Sequence, residues 1–302
     1  MTEKIVERSA FPGAKLLDPT KYGNEEYLIV ALFGFILFVA IKHLIFHTIY
    51  FWWFQHGRFY IPNTLWTILT GKTLSKRLLN HVSTSSHGND LNGILNVMDE
   101  YFKNKEFAPS LGETKGKVVD EVLEKHKPNS VLIIGCHLGY CLLRILKSLP
   151  DNATVFVIEE NAEFIATSKQ LVAMTKTTIK VTYMCGNAKD LLSTLHCDYG
   201  VEKLDFIFLN RISHEEPSHL PLVHLLEGNS ENTHSFVHQS GNLDNSKRTV
   251  MLADKVVMPG DPSFLKYVRE SDHYETKYYQ MSLEHSSHEI VDGMEVAIYT
   301  GS

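Results

Sequence analysis

The sequence has few cysteines and fewer basic than acidic residues. Four cysteines occur in 302 residues, and none of them forms a Cys-x-x-Cys pair. We therefore expect free, mostly buried thiols rather than a disulfide framework. Lysine and arginine number 29 against 35 aspartate and glutamate residues, which gives a formal net charge of −6. Because nucleic-acid binders carry a basic face, no nucleic-acid partner is expected.

A long apolar run is present near the N-terminus. Residues 27–41 read YLIVALFGFILFVAI, and after a Lys-His pair the run resumes as LIFHTIYFWWF, up to residue 54. Together the two parts exceed the roughly 20 residues that a membrane-spanning helix needs, and the aromatic cluster at the end is typical of a membrane interface. A signal peptide fits poorly, since a polar stretch precedes the run and no small-residue cleavage site follows it. The run predicts one transmembrane anchor in a lipid bilayer.

From about residue 74 the pattern becomes that of an α/β protein. Apolar runs predict strands at 131–135, 154–159, 180–186, 204–210 and 249–256, and helical stretches near 138–149, 161–175 and 188–196 separate most of them. This alternation predicts a doubly wound, mostly parallel sheet, and two segments at 278–283 and 294–300 indicate a hairpin at its edge. The predicted organisation is a polar tail at 1–26, an anchor at 27–54, a linker at 55–73 and a domain at 74–302 with a polar insertion at 228–247.

A sparse glycine turn follows the first predicted strand. GCHLGYC at 135–141 has the spacing GxxxG rather than GxGxxG, and the second strand ends at Glu159, twenty residues after Gly139. Glycine alone is weak evidence, because any strand–turn–helix junction uses it. An acid at that place accepts hydrogen bonds from a ribose diol, while the helix N-terminus takes an anion. The pattern predicts a nucleoside cofactor, either a dinucleotide or S-adenosylmethionine, and the missing third glycine favours the latter.

Six segments resemble the catechol O-methyltransferase family in its membrane-anchored form. They are RLLNHV (77–82), KEFAPSLGETKGKVVD (105–120), GCHLGY (135–140), VIEEN (157–161), LADKVVMPG (252–260) and SLEHSSHEIVDGMEVAIYTG (282–301). The resemblance covers nearly everything after residue 74. It implies a Rossmann-like S-adenosylmethionine-dependent methyltransferase fold with a seven-stranded, mostly parallel sheet. It also implies methyl transfer to one hydroxyl of a magnesium-bound catechol.

The resemblance implies a set of cofactor positions that this chain keeps only in part. Gly135, Tyr140 and Glu159 match the family, while Ile133 stands where the family has a glutamate. The remaining cofactor positions are Leu111, His137, Cys141 in place of a serine, and Ala188 and Lys189 in place of a serine–glutamine pair.

Most of the metal and base positions that the resemblance implies carry a different residue in this chain. Asn210 replaces an aspartate ligand, Asp254 remains, and Lys255 replaces the asparagine ligand. Magnesium prefers about six oxygen ligands, whereas a lysine ammonium has donors only. The base lysine becomes Ser213, whose hydroxyl does not ionise near neutral pH without an activating partner. The other substrate positions are Phe107, Ile212, Pro259 and Glu284, of which Glu284 also lies on the catalytic side.

Two interpretations of Lys255 stay open. Its ammonium could stand in for the metal and stabilise a phenolate, or accept the proton itself if its pKa is lowered. Alternatively it pairs with Asp254 and fixes an inactive site.

The functional hypotheses follow from these two interpretations. One is a membrane-anchored O-methyltransferase of catechols or catecholamine-like phenols that is impaired or metal-independent. Another is an inactive methyltransferase-like protein that acts in protein interaction or trafficking, with an unknown partner, and a cofactor sensor lies between them. We expect an endoplasmic-reticulum or plasma-membrane location with the soluble domain in the cytosol.

Overall fold

The computed structural model describes residues 24–52, 58–85, 90–108, 110–210, 218–228, 241–244, 246–282 and 291–301. The chain divides into two compact units, residues 1–57 and 58–302. The first unit contains helix α1 (Asn24–Trp52), in which the segment Leu28–Ile49 has a mean hydropathy of 2.6 and is not buried by other residues. This helix is long and apolar enough to cross a membrane, as its composition predicted.

The second unit is a seven-stranded sheet with helices on both faces. Its helices are α2 (Arg58–Thr70), α3 (Leu74–Thr84), α4 (Leu91–Asn104), α5 (Gly112–His126), α6 (Tyr140–Ser148), α7 (Ala162–Met174), α8 (Ala188–Tyr199), α9 (Leu220–Glu227) and α10 (Pro262–Glu270). Its strands are β1 (Ser130–Ile134), β2 (Thr154–Glu159), β3 (Lys180–Cys185), β4 (Phe206–Leu209), β5 (Val250–Ala253), β6 (Tyr274–Ser282) and β7 (Val291–Tyr299).

The strand order is β3-β2-β1-β4-β5-β7-β6. Strands β1 to β5 pair in parallel, whereas β7 is antiparallel to both β5 and β6. The predicted parallel sheet and its closing hairpin are therefore confirmed. A π-helical turn, Val256–Gly260, follows β5.

Two of the parallel strands are shorter than their apolar runs. The run at 204–210 pairs as a strand only over Phe206–Leu209, because Leu204 forms an isolated bridge to Leu243. The run at 249–256 ends as a strand at Ala253, because Lys255 adopts a left-handed conformation with φ of 55°. In both cases the apolar run in the sequence is longer than the paired strand, because the backbone pairs in the sheet over only part of the run.

Strand β1 shows why the parallel strands are apolar without alternation. Val131 and Ile133 pack into the core on one face, and Leu132 and Ile134 pack into a second core on the other. Each of these side chains is almost completely buried. Burial on both faces is the normal environment of a parallel sheet covered by helices.

Helix α2 occupies most of the segment that the sequence suggested as a linker. Arg77 in α3 donates from Nη2 to Asn63 Oδ1 at 2.9 Å and from Nη1 to Thr67 Oγ1 at 3.3 Å. The same guanidinium donates from Nε to Glu106 Oε2 at 2.9 Å, beyond the end of α4. One arginine thus attaches α2 to α3 and to the segment that follows α4.

Candidate active site

A cleft of about 130 Å³ opens at the carboxyl ends of the central strands. Strand order reverses between β1 and β4, the position at which open α/β sheets bind their ligands. The described lining of the cleft is Ile134, Gly135, His137, Ile158, Glu159, Glu160, Ala188, Asn210, His219 and Leu222. The ends of β1, β2 and β4 therefore contribute to one site.

Gly135 allows the ends of β1 and β4 to approach closely. Its φ is +83°, and a Cβ atom at this position would lie 2.9 Å from the backbone oxygen of Asn210. In return, Asn210 Nδ2 donates to the Gly135 oxygen at 3.0 Å. A larger residue at 135 would push apart the two strand ends that form the cleft floor.

Glu159 presents a buried carboxylate at the end of β2. Its Oε2 accepts from the backbone N–H of His137 at 2.9 Å, and its Oε1 accepts from that of Asn161 at 3.0 Å. Burial raises the pKa of Glu159 above its ordinary value of 4.5, although these backbone donors oppose the rise. A carboxylate offers about four lone-pair positions, more than these two hydrogen bonds occupy, so Glu159 can also accept from a ribose hydroxyl.

His137 adds an unpaired polar atom beside that carboxylate. Its Nδ1 lies 3.9 Å from Glu159 Oε2, and its Nε2 is buried without a hydrogen-bond partner in the part of the chain that the structure describes. Burial lowers the pKa of His137 to about 3, and the charge of Lys255 contributes to the decrease. The imidazole is therefore neutral at physiological pH. Since buried polar atoms are normally paired, this atom marks a position for a ligand group.

The predicted cofactor positions separate into two groups. Gly135, His137, Glu159 and Ala188 line the cleft, whereas its described lining does not include Leu111, Tyr140, Cys141 and Lys189. Leu111 is buried next to the start of α5, and Lys189 is exposed in α8. Tyr140 is buried and donates to Asp99 Oδ2 at 2.7 Å. Burial raises the pKa of the Cys141 thiol to about 12, so this cysteine is not a nucleophile.

A buried group of charges stands at the position that the sequence suggested for a metal. Lys255 Nζ donates to Asp254 Oδ2 at 2.9 Å and to Asn210 Oδ1 at 3.2 Å. Lys115 Nζ donates to Asp254 Oδ1 at 2.6 Å and also bonds to Asp292 Oδ2. We call Lys115, Asp254, Lys255 and Asp292 the charge tetrad. Each of its members is at most 4% exposed.

Electrostatics within the tetrad favour the ionised forms. Burial alone would raise the pKa of Asp254, but the ammonium groups of Lys115 and Lys255 lower it to about 2. Burial likewise opposes the charge on Lys115, yet Asp254 and Asp292 raise its pKa overall. The tetrad consists of two lysines and two aspartates joined by salt bridges, so its formal charges balance.

Lys115 and Asp292 were missed by sequence reasoning. A signal for Lys115 exists, because it shares one face of α5 with Val118, Val119 and Val122 at helical spacing. A lysine on an apolar helix face requires a buried acidic partner. The partner Asp292 is 177 residues away in the sequence. The helical spacing around Lys115 therefore does not identify which acidic residue pairs with it.

The residues at this position do not fit a divalent cation. Both oxygens of Asp254 accept from lysine ammonium groups, and the carbonyl of Asn210 accepts from Lys255. Among the described residues there is no group of three or more His, Cys, Asp or Glu side chains that could hold a metal ion. An ammonium takes the place that the resemblance assigned to magnesium.

Several predicted substrate and base positions cannot be placed. Ser213, Ile212 and Glu284 lie outside the described residues, as does most of the insertion at 228–247. Phe107 is half-buried after α4, and Pro259 lies in the π-helical turn after β5.

Comparisons with known proteins extend over most of the chain. A family model described as O-methyltransferase matches residues 85–218. Catechol O-methyltransferase of Mus musculus is 32% identical over 270 residues, which is 89% of this chain and 93% of the mouse protein. Transmembrane O-methyltransferase of Homo sapiens is 24% identical over 234 residues, 77% of this chain and 75% of the human protein. The alignment with the mouse protein thus spans nearly the full length of both chains.

Solved structures agree with the fold. The O-methyltransferase TomG from Streptomyces achromogenes, solved in complex with SAM, has a TM-score of 0.52 at 18% identity and covers 68% of this chain and 89% of its own. The O-methyltransferase from Bacillus cereus, in complex with SAH, has a TM-score of 0.50 at 14% identity, with coverages of 79% and 97%. At these identities the likeness concerns the fold alone.

Proposed function

Because this chain belongs to the catechol O-methyltransferase family, we propose that it is a membrane-anchored, S-adenosylmethionine-dependent enzyme that methylates phenolic hydroxyls without magnesium. The observation that carries the proposal is the contact of Lys255 Nζ with Asp254 Oδ2 at 2.9 Å and Asn210 Oδ1 at 3.2 Å. A cation built into the chain there replaces the metal ion that the family uses.

The cofactor half of the site fits S-adenosylmethionine. Glu159 lines the cleft and can accept from a ribose hydroxyl, and Gly135 keeps the cleft floor open. Among the described residues His137 Nε2 has no partner, so it can bond to a polar group of the ligand. A neutral imidazole also avoids repulsion with a sulfonium. When bound, S-adenosylmethionine supplies a methyl group that passes from its sulfur to the phenolic oxygen, while the hydroxyl proton is lost to solvent.

Lys255 supplies the electrostatic part of catalysis. An ammonium has three N–H donors, and the described residues accept from two of them. Lys255 itself is 4% exposed, but its partner Asn210 lines the cleft, and we propose that the third N–H donates to a phenolate oxygen beside Asn210 as negative charge develops on it. A fixed donor of this kind contributes about 10²–10³-fold to a rate. Asp254 holds the ammonium in place but, with its pKa at about 2, is too weak a base to take the proton itself.

The test is methyl transfer by the full chain in detergent micelles. Radiolabelled S-adenosylmethionine and a panel of phenols and catechols are supplied with EDTA or with Mg²⁺. We expect turnover in EDTA and a loss of about 10²-fold or more in Lys255→Met. Lys117→Met is the matched control, since Lys117 is an exposed lysine whose side chain is 69% accessible. Turnover that requires Mg²⁺ would refute the metal-free mechanism.

The saturation of Asp254 by two lysines also favours a second candidate, a catalytically inactive protein that acts in interaction or trafficking. The same preparation separates the two candidates. Isothermal titration that shows cofactor binding, together with no product from any acceptor, would support the inactive protein, either as a cofactor sensor or as a scaffold. Absence of cofactor binding would leave the interaction role alone.

We place the soluble domain on the cytosolic side of the endoplasmic reticulum or plasma membrane as part of the proposal. The free state of Cys136, Cys141, Cys185 and Cys197 supports a reducing compartment. Cys185 and Cys197 are exposed and can be labelled with an impermeant maleimide after selective permeabilisation of the plasma membrane. Labelling that requires opening of the internal membranes as well would place the domain in the lumen.

A further inference from the structure

The number of donors on Lys255 limits how a substrate can be held. We infer that the site selects its substrate by a single hydroxyl group, so that monophenols are acceptors as good as catechols. This inference rests on the proposed function and names its substrate class. A divalent ion binds several oxygens at once and can chelate both oxygens of a vicinal diol. Among the described residues, the ammonium of Lys255 bonds to Asp254 and Asn210, which leaves one of its three N–H groups for a substrate.

In the part of the chain that the structure describes, the groups around Lys255 provide no replacement for the second contact. Asn210 uses its carbonyl to accept from Lys255, and its amide nitrogen donates to the Gly135 oxygen at 3.0 Å and contacts Cys141 Sγ at 3.9 Å. Asp254 accepts from Lys115 at one oxygen and from Lys255 at the other. Within the described residues, the polar atoms that border the Lys255 ammonium are therefore already engaged.

Among the described residues, His137 is a cleft group whose Nε2 has no hydrogen-bond partner, and its position connects it to the cofactor. Its Nδ1 is 3.9 Å from the Glu159 carboxylate, and its ring packs edge-on against Phe164 with centroids 6.0 Å apart. Both neighbours belong to the end of β2 and to α7, on the ribose side of the cleft. We therefore assign Nε2 to the cofactor and not to a second substrate hydroxyl.

The consequence for specificity is quantitative. If one oxygen makes the decisive contact, a second hydroxyl changes kcat/KM by no more than an ordinary hydrogen bond, about tenfold. If both oxygens are required, a monophenol loses the chelate and with it nearly all turnover. The ratio of kcat/KM for matched acceptors distinguishes these cases.

The kinetic experiment compares a 4-alkylphenol with the 4-alkylcatechol that carries the same substituent, using the full chain in EDTA. We expect kcat/KM values within about tenfold of each other. A catechol preference above about 100-fold would overturn the inference while leaving the proposed function intact. No turnover of either acceptor would refute the proposed function, and the inference with it.

A spectroscopic binding experiment gives a second readout that does not depend on turnover. In the presence of S-adenosylhomocysteine, 4-nitrophenol and 4-nitrocatechol are titrated with protein, and the absorbance of the ionised form is recorded. We expect affinities within about tenfold and an increase in phenolate absorbance for both probes, lost in Lys255→Met but kept in Lys117→Met. Binding of the nitrocatechol alone would contradict selection by one hydroxyl.

The variant Asn210→Asp/Lys255→Asn tests the same idea in reverse. It restores a carboxylate and an amide next to Asp254 and removes the internal cation. We expect this variant to require Mg²⁺ and to favour the catechol at least tenfold more than the wild-type chain does. An unchanged acceptor ratio in a variant that has become Mg²⁺-dependent would show that donor number does not set the specificity.

Discussion

Replacing Lys115 by methionine should be among the most damaging substitutions in the domain. Lys115 is fully buried and bonds to both Asp254 and Asp292. Methionine has a similar length and suits the apolar face of α5, so the change removes a charge with little change of volume. Asp254 would keep Lys255, whereas Asp292 would keep a backbone donor, the N–H of Met258 at 3.0 Å.

The expected magnitude follows from burial and from the pKa of Asp254. The ammonium groups of Lys115 and Lys255 hold the pKa of Asp254 below its ordinary 3.8, so this carboxylate interacts favourably with them. Removing one partner of a buried ion pair costs about 3–5 kcal/mol, because it leaves an uncompensated charge. We therefore expect Lys115→Met to lower the free energy of unfolding by about 3–5 kcal/mol at pH 7.

The pH dependence of this stabilisation has a definite sign. Because the pKa of Asp254 is lower in the folded chain than its ordinary 3.8, its contribution is present above that value. It is lost as the pH falls through about 2. A measurement at pH 7 therefore captures the full effect.

The assay is urea unfolding of the full chain in micelles, followed by far-ultraviolet circular dichroism. Lys117→Met is the control, since this lysine lies on the same helix, is 69% accessible and pairs with Glu113 at 2.9 Å. We expect the control to change stability by less than about 0.5 kcal/mol. Lys115→Met/Asp292→Asn should recover part of the loss, because the stranded carboxylate is gone. A loss below about 1 kcal/mol in Lys115→Met would refute the view that the tetrad is a buried, mutually dependent unit.

Two further predictions concern the cofactor end. Burial raises the pKa of Glu159 above 4.5, so affinity for S-adenosylmethionine should fall as the pH drops towards that raised value, and Glu159→Gln should remove this dependence in isothermal titration. An unchanged pH profile in the glutamine variant would contradict the ribose assignment. Gly139→Ala should destabilise more than Gly200→Ala, by at least about 1 kcal/mol in urea unfolding. Both glycines have positive φ, but an added Cβ at 139 would lie 3.0 Å from Ser168 Oγ and 3.2 Å from Leu171 Cδ1, whereas nothing lies within 4 Å at 200. Equal losses would refute the packing explanation.

The architecture was predictable because its signals are local. Strand β1 is apolar from Val131 to Ile134 because both of its faces are covered, and the helices between the strands show their own period of about 3.6 residues. The glycine turn and Glu159 could be placed at one edge because parallel strands end on the same side. Strand ends were less accurate, since Lys255 turns the chain by a left-handed conformation that its residue type does not suggest.

The charge tetrad was only half predictable. The sequence suggested that Lys255 faces Asp254, because the two residues are adjacent and the family resemblance puts them at one site. Lys115 lies in α5 and Asp292 lies in β7. A single sequence shows the local periodicity of each element, but it does not show which side chains from distant elements are in contact. The attachment of α2 by Arg77 was missed for the same reason, since its acceptors come from separate elements.

The neutrality of the tetrad constrains how this site can evolve. A single substitution that removes the charge of any member leaves one buried charge without a counterion, a state that costs several kcal/mol. A return to magnesium would have to pass through such an intermediate, or exchange two positions together. Conversely, an ancestor that acquired Lys255 in the presence of a bound metal would have faced direct repulsion between them. We therefore expect the residues of this site to change together. Relatives that combine part of the charge tetrad with part of a metal-binding site should be rare.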